Sequence, residues 1–151
     1  MIFFCMGIIL AVFVTDLIIK NRMEKSKNLP REACKGRVLL QRYHNYGMAL
    51  NFAEGKQKFV AAVSLALTFF VFGMLIAGFG KKGNALLKVS LSVLLGGAFS
   101  NTYDRLKRGY VVDYVSFPTK WRWFSGIVFN ISDFCIMAGA LFACLTGRIT
   151  R

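Results

Sequence analysis

The chain has 151 residues, 56% of them hydrophobic, and twenty Lys and Arg stand against seven Asp and Glu. So apolar a composition excludes an ordinary soluble domain. A net charge of +13 would suggest nucleic acid in a soluble protein, but these basic residues flank uncharged runs, which points to anionic lipid headgroups and to no nucleic-acid partner.

A membrane helix needs about 20 apolar residues. The first candidate, 2–19, is interrupted only by Asp16. It lacks the basic start and the small-residue cleavage site of a secretory leader, so a retained helix is expected. The connection 20–58 is polar, with ten basic residues, and its second half, RVLLQRYHNYGMALNF, reads as short strands. The second candidate, 59–79, has no charge, and residues 81–84 make a tight basic turn. The third, 85–103, contains Lys88, expected to snorkel toward an interface. In the connection 104–123, the aromatics Phe117, Trp121 and Trp123, with Phe124 just beyond, suit a membrane interface. The fourth candidate, 124–147, contains Asp133. The expected fold is therefore an all-α membrane protein, one domain over 1–151. Its four transmembrane helices (2–19, 59–79, 85–103 and 124–147) carry a small β-like cradle between helices one and two, and both termini lie on one side.

The four cysteines include no C-x-x-C pair and read as small packing residues; His44 is the only histidine, so no metal site is expected. The carboxylates are more informative, because an Asp at a membrane helix centre costs roughly 2.5–3.5 kcal/mol. The two connections that share a face collect Asp16, Asn45, Asp104, Asp113 and the start of segment four. Asn101 and Arg105 are spaced i, i+4, and Asn130 and Asp133 i, i+3, each pair on one helical face. Two carboxylates brought together at a low-dielectric boundary share one proton, and the pair can then act as base and acid in peptide hydrolysis. Blander roles are an ion pair or helix cap for Asp113 and Asp133, a turn cap for Asn45, an incidental loop position for His44, and close helix approach at Gly96 and Gly97. A proton-coupled four-helix transporter is the competing function. It calls for a carboxylate near a helix midpoint, whereas the polar residues here gather at segment ends.

Four blocks carry a family resemblance. They are DLIIK (Asp16 to Lys20), NYGMAL (Asn45 to Leu50), GAFSNTYDRLKRGYVVD (Gly97 to Asp113) and FNISD (Phe129 to Asp133). Their order and their placement at membrane segments resemble the lipoprotein signal peptidase (signal peptidase II) family. The resemblance implies an aspartic endopeptidase that removes signal peptides from bacterial prolipoproteins, cutting before a diacylglyceryl-modified cysteine. No metal or other cofactor is implied. Asp113 and Asp133 would be the catalytic pair, with Asn101, Arg105 and Asn130 orienting the pair and holding substrate. Asn45 and Gly47 would sit in the extracytoplasmic cradle, Asp16 and Lys20 would brace helix one, and Asp104 would support its neighbours. Implied partners are lipidated prolipoproteins and anionic membrane lipids, for a monomer in the bacterial cytoplasmic membrane with its site facing outward.

The sequence departs from the family pattern at Ile19, Met48, Leu50, Ser100, Ile127 and Ser132, which leaves a divergent or silent paralogue as an alternative. Charge also conflicts with the resemblance. Fifteen basic residues lie on the motif face and five on the other, which by the positive-inside rule would make the motif face cytoplasmic. The expectation here follows the motifs.

Overall fold

The structure, a computed structural model, describes residues 1–47, 55–80, 83–120 and 126–149, without the side chains of 147–149. Four helices surround a buried polar centre: α1 (Ile2–Lys25), α2 (Gln57–Phe79), α3 (Ala85–Arg108) and α4 (Ile131–Ile149). Strands β1 (Arg31–Ala33) and β2 (Val38–Asn45) follow α1, while β3 (Val111–Ser116) and β4 (Val128–Phe129) lie between α3 and α4. They form one antiparallel sheet in the order β1-β2-β3-β4. The cradle therefore takes strands from both long connections. The basic turn residues Lys81 and Lys82, the departures Met48 and Leu50, and the aromatics Trp121, Trp123 and Phe124 lie outside the described residues.

The distribution of polarity is that of a protein solvated by lipid. Phe3, Phe69, Phe70 and Leu141 are all more than half exposed, while Asp16, Lys20, Asp104 and Asn130 are fully buried. Helices α1, α2 and α3 are each long and apolar enough to cross a membrane; α4 contributes a shorter apolar stretch, Ile131–Thr146. The fourth segment, expected to be helical from 124, begins as a helix only at Ile131, because Val128 and Phe129 pair with Ser116 and Val115 of β3. Hydropathy shows where lipid ends, whereas hydrogen bonding decides where the helix ends. Accordingly α1 runs on to Lys25 and α3 to Arg108, beyond the apolar limits at 19 and 103.

The centre of the bundle is α3, which packs against the other three helices. Two adjacent glycines allow this. A Cβ on Gly96 would stand 2.8 Å from Val12 Cβ of α1, and one on Gly97 would stand 2.6 Å from the Ser132 carbonyl oxygen of α4. The lipid-side core is small: Leu75, Leu91 and Leu95. Lys88, near the start of α3, is buried with its ammonium 5.8 Å from the Phe79 ring centre. Gly109, at φ +81°, ends α3 in the left-handed conformation and turns the chain into β3.

Candidate active site

Sheet register determines what faces Asp113. On β2, Leu40 pairs with Val115, but Tyr43 pairs with Asp113, so β2 carries one extra residue between these points. Side chains directly opposite in an antiparallel pair share a face, and a bulge reverses that choice for everything beyond it. An unbroken register would have set Arg42 and His44 on the Asp113 face; the bulge sets Tyr43 and Asn45 there instead. The Asn45 side-chain amide donates to Asp113 Oδ2 at 3.1 Å, and its own carbonyl oxygen accepts the Gly47 N–H at 3.0 Å.

Asp133 is positioned by the start of α4. The Asn130 side chain accepts the Asp133 N–H at 2.9 Å, and Asp133 Oδ2 accepts the Asn130 N–H at 2.9 Å. This is a reciprocal capping box, so the i, i+3 spacing in FNISD reflects a cap as well as a shared face. The remaining Asn130 donor group binds both sides of the site: its Nδ2 lies 2.7 Å from Asp113 Oδ1 and 3.2 Å from Asn101 Oδ1. Asn101 in turn donates to Asp133 Oδ1 at 2.8 Å. One asparagine thus holds a carboxylate from β3 and a carboxylate from α4 together.

Burial pushes the Asp113 carboxyl up to about 7, and the neighbouring Asp133 charge adds to this; the Asn45 and Asn130 amides pull the other way. A carboxyl with that affinity retains its proton near neutrality beside a second carboxyl, the condition for paired acid and base work.

Beside Asp133 lies a cleft of about 350 Å³ between α2, α3 and α4, with Asn101, Arg105 and Asp133 as its polar end and Leu67, Val71 and Ile136 among its apolar walls. Arg105 donates weakly to the carbonyls of Asn101 and Gly47, both at 3.3 Å. Its Nε is buried with no hydrogen-bond partner among the described residues. The arrangement therefore offers a proton donor, a proton acceptor, an unused cationic N–H and an apolar channel.

The signal peptidase (SPase) II profile matches residues 8–148, nearly the whole chain. The chain belongs to that family. The lipoprotein signal peptidase of Caldicellulosiruptor bescii is 36% identical over 135 residues, 89% of this chain and 83% of the relative. That of Halothermothrix orenii is 28% identical over 137 residues, 88% and 87% of the two chains. Two solved bacterial membrane enzymes, both obtained by the in meso method, share the fold at 23% identity. One, at 2.3 Å resolution, gives a TM-score of 0.80 over 96% of this chain and 87% of its own. The other, at 1.9 Å, gives 0.77 over 96% and 92%.

Within this signal peptidase II chain, the residues singled out by sequence fall into two groups. Asn45, Asn101, Asn130, Asp113 and Asp133 form one hydrogen-bonded cluster, with Arg105 and Gly47 at its edge. Asp16, Lys20 and Asp104 form a second group behind it. The Lys20 ammonium lies 2.8 Å from Asp16 and 3.1 Å from Asp104, and it donates to Asn101 Oδ1 at 2.8 Å. Asp104 also accepts the Val112 N–H at 3.2 Å and pairs with Arg108 Nε at 2.9 Å. Lys20 is the link between the groups, because it fixes which end of the Asn101 amide faces Asp133.

Sequence reading passed over several participants. His44, expected to be incidental, lies 2.8 Å from Glu24 of α1 and stacks on Tyr110 with ring centres 4.2 Å apart. It ties β2 to α1 one residue before Asn45. Tyr114, Ser100 and Ser132 all donate to Asp16. Two of these three were visible as departures from the family pattern, and their hydroxyls were the signal.

Proposed function

We propose that the chain is a membrane-embedded aspartic endopeptidase that removes signal peptides from prolipoproteins. It cuts before the diacylglyceryl-modified cysteine, with Asp113 and Asp133 as the catalytic pair. The observation that carries this reading is the Asn130 side chain, which reaches Asp113 and shares a reciprocal cap with Asp133. In the resting pair one carboxyl is protonated and one ionised. The ionised group takes a proton from water as its oxygen attacks the scissile carbonyl carbon, and the protonated group gives its proton to the carbonyl oxygen. The resulting diol collapses when a proton passes to the amide nitrogen. The C–N bond breaks, and a carboxyl and an amine leave. Arg105 Nε supplies the charge that steadies the oxygen during this sequence.

The cleft suits the substrate's mixed chemistry. Its apolar walls open between helices, where acyl chains enter from the bilayer without crossing water, and its polar end meets the peptide bond. On this reading α4 spans together with α1, α2 and α3, both termini are cytoplasmic, and the sheet lies on the outer side. The basic residues at the sheet end bind anionic headgroups. The protein works as a monomer. None of the polar groups in the carboxylate cluster is lost at the positions that depart from the family, which argues against a silent paralogue. A carrier is disfavoured because Asp133 sits in the first turn of α4 and Asp113 on a strand, both bonded by asparagines and neither at a helix midpoint.

Purified protein mixed with a lipidated precursor peptide, with the products weighed by mass spectrometry, tests the reading. A cut immediately before the lipidated cysteine is expected from the wild type. No cut by a folded wild-type protein would overturn it, and a reporter fused after Arg151 that scored as extracytoplasmic would overturn the orientation.

A further inference from the structure

The two carboxylates of the pair are neighbours in sequence of two residues that point elsewhere. Tyr114 follows Asp113, and Ser132 precedes Asp133. On a strand, successive side chains face opposite ways. Asp113 therefore faces Asn45 and Asn130, while Tyr114 looks back toward α1, and both are buried. The Tyr114 hydroxyl donates to Asp16 Oδ1 at 2.8 Å and accepts the Ile131 N–H of the first turn of α4 at 3.1 Å. The Ser132 hydroxyl donates to Asp16 Oδ2 at 2.6 Å. Ser100 of α3, one residue before Asn101, donates to the same oxygen, also at 2.6 Å, and accepts from Lys20 at 3.1 Å.

One fully buried carboxylate on α1 thus receives β3, α4 and α3, in each case at a residue adjacent in sequence to a member of the carboxylate cluster. The charges around Asp16 are Lys20 on its own helix, Asp133 on α4 and, beyond the ammonium, Asp104 on α3. Tyr114 from β3 and Ser132 from α4 face it as hydroxyls. The phenol stays neutral, since burial and the Asp16 anion hold its proton on. Among the described residues no hydrogen bond joins Asp16 to Asp113 or Asp133; its charge reaches Asp133 directly, but its hold on the position of both carboxyls passes through these neighbours.

We propose that Tyr114, Ser132 and Ser100 are positioning residues for the Asp113–Asp133 pair, acting through Asp16, which sets the gap between the two carboxyls from behind. This rests on the peptidase reading above. The front of the site contributes Asn130, which holds the pair together. The back contributes Asp16, which prevents β3 and α4 from sliding along each other. Ser100 locks the same anchor to α3, and with it the Asn101 amide that faces Asp133. Two of the three, Ser100 and Ser132, stand at positions where the sequence departs from the family pattern, so this chain sets its carboxylate spacing partly by its own means.

Tyr114→Phe and Ser132→Ala remove one hydroxyl each and leave the packing nearly unchanged. The expected result in the precursor assay is a fall in kcat of about tenfold for each, with KM within about twofold, because a misplaced reacting group lowers rate more than binding. Ser132→Thr keeps the hydroxyl and is expected to restore most of the rate. In an Asp16→Asn background, Tyr114→Phe is expected to add little, since both act through one carboxylate. A second measurement needs no turnover: titration of the Asp113 carboxyl carbon by NMR in detergent micelles. A wider gap weakens the repulsion from Asp133, so Tyr114→Phe is expected to move that titration down toward the ordinary carboxylate range. Unchanged kcat in both single variants would overturn the proposal, and so would losses that multiply in full with that of Asp16→Asn. If the wild type does not cut at all, the peptidase reading fails, and the titration alone decides the positioning claim: no movement in Tyr114→Phe overturns it.

Discussion

Replacing Asp113 by Asn is expected to make the protein inactive and, above neutral pH, more stable. The folded protein raises this carboxyl from 3.8 to about 7, chiefly by burial. For an acid whose folded value is raised, ionisation opposes folding. The penalty is absent below the unfolded value, grows as pH rises from the unfolded value to the folded one, and is complete above it. Each unit corresponds to about 1.4 kcal/mol, so a rise of this size amounts to about 4 kcal/mol on the alkaline side. An Asn at 113 carries no charge to desolvate. Its carbonyl oxygen still accepts from Asn130, but its amide meets the Asn45 amide that now donates to Oδ2. Losing that hydrogen bond costs about 1 kcal/mol. The balance is a gain of roughly 3 kcal/mol at about pH 8, shrinking to almost nothing near pH 4. Thermal or denaturant unfolding in the same detergent at both pH values measures it. An Asp113→Asn protein less stable than wild type at both values would refute the claim that this carboxyl is held in a costly environment.

Three further outcomes follow from the same geometry. The activity profile of the wild type should fall on its alkaline side with an apparent value near 7, because the raised Asp113 proton is the one the pair needs to keep; a rate still rising at about pH 9 would contradict this. Gly97→Ala should lower turnover by about a hundredfold or more and destabilise by about 1–3 kcal/mol, since its Cβ would stand 2.6 Å from the Ser132 carbonyl oxygen and push α3 off α4. Wild-type rate in that variant would show that the approach is not needed. Lys20→Met should cost about 3–5 kcal/mol in unfolding experiments, because Asp16 and Asp104 both keep their burial and lose their shared cation.

Helix number and order were legible in the sequence because each of the four helices carries an apolar run. The helix ends were not. Residues 20–25 and 104–108 are polar yet remain helical, and Val128–Phe129 are apolar yet pair as a strand. Motif spacing brought Asn45, Asn101, Asn130, Asp113 and Asp133 to notice, and the fold joins them. What stayed hidden depends on register and on the third dimension. The bulge that turns Asn45 rather than His44 toward Asp113 has no marker in RVLLQRYHN. Likewise nothing local announces that Tyr114, Ser100 and Ser132, far apart in sequence, meet at one carboxylate. The His44–Glu24 contact was missed for the same reason, since it depends on α1 continuing past its apolar stretch.

The central claim is that Asp113 and Asp133 share a single proton at neutral pH. Following the carboxyl carbons of both aspartates by NMR across the pH range tests it most directly. One proton retained by the pair at neutrality, and released with an apparent value near 7, is the result expected. Two carboxyls both fully ionised by about pH 5 would contradict it.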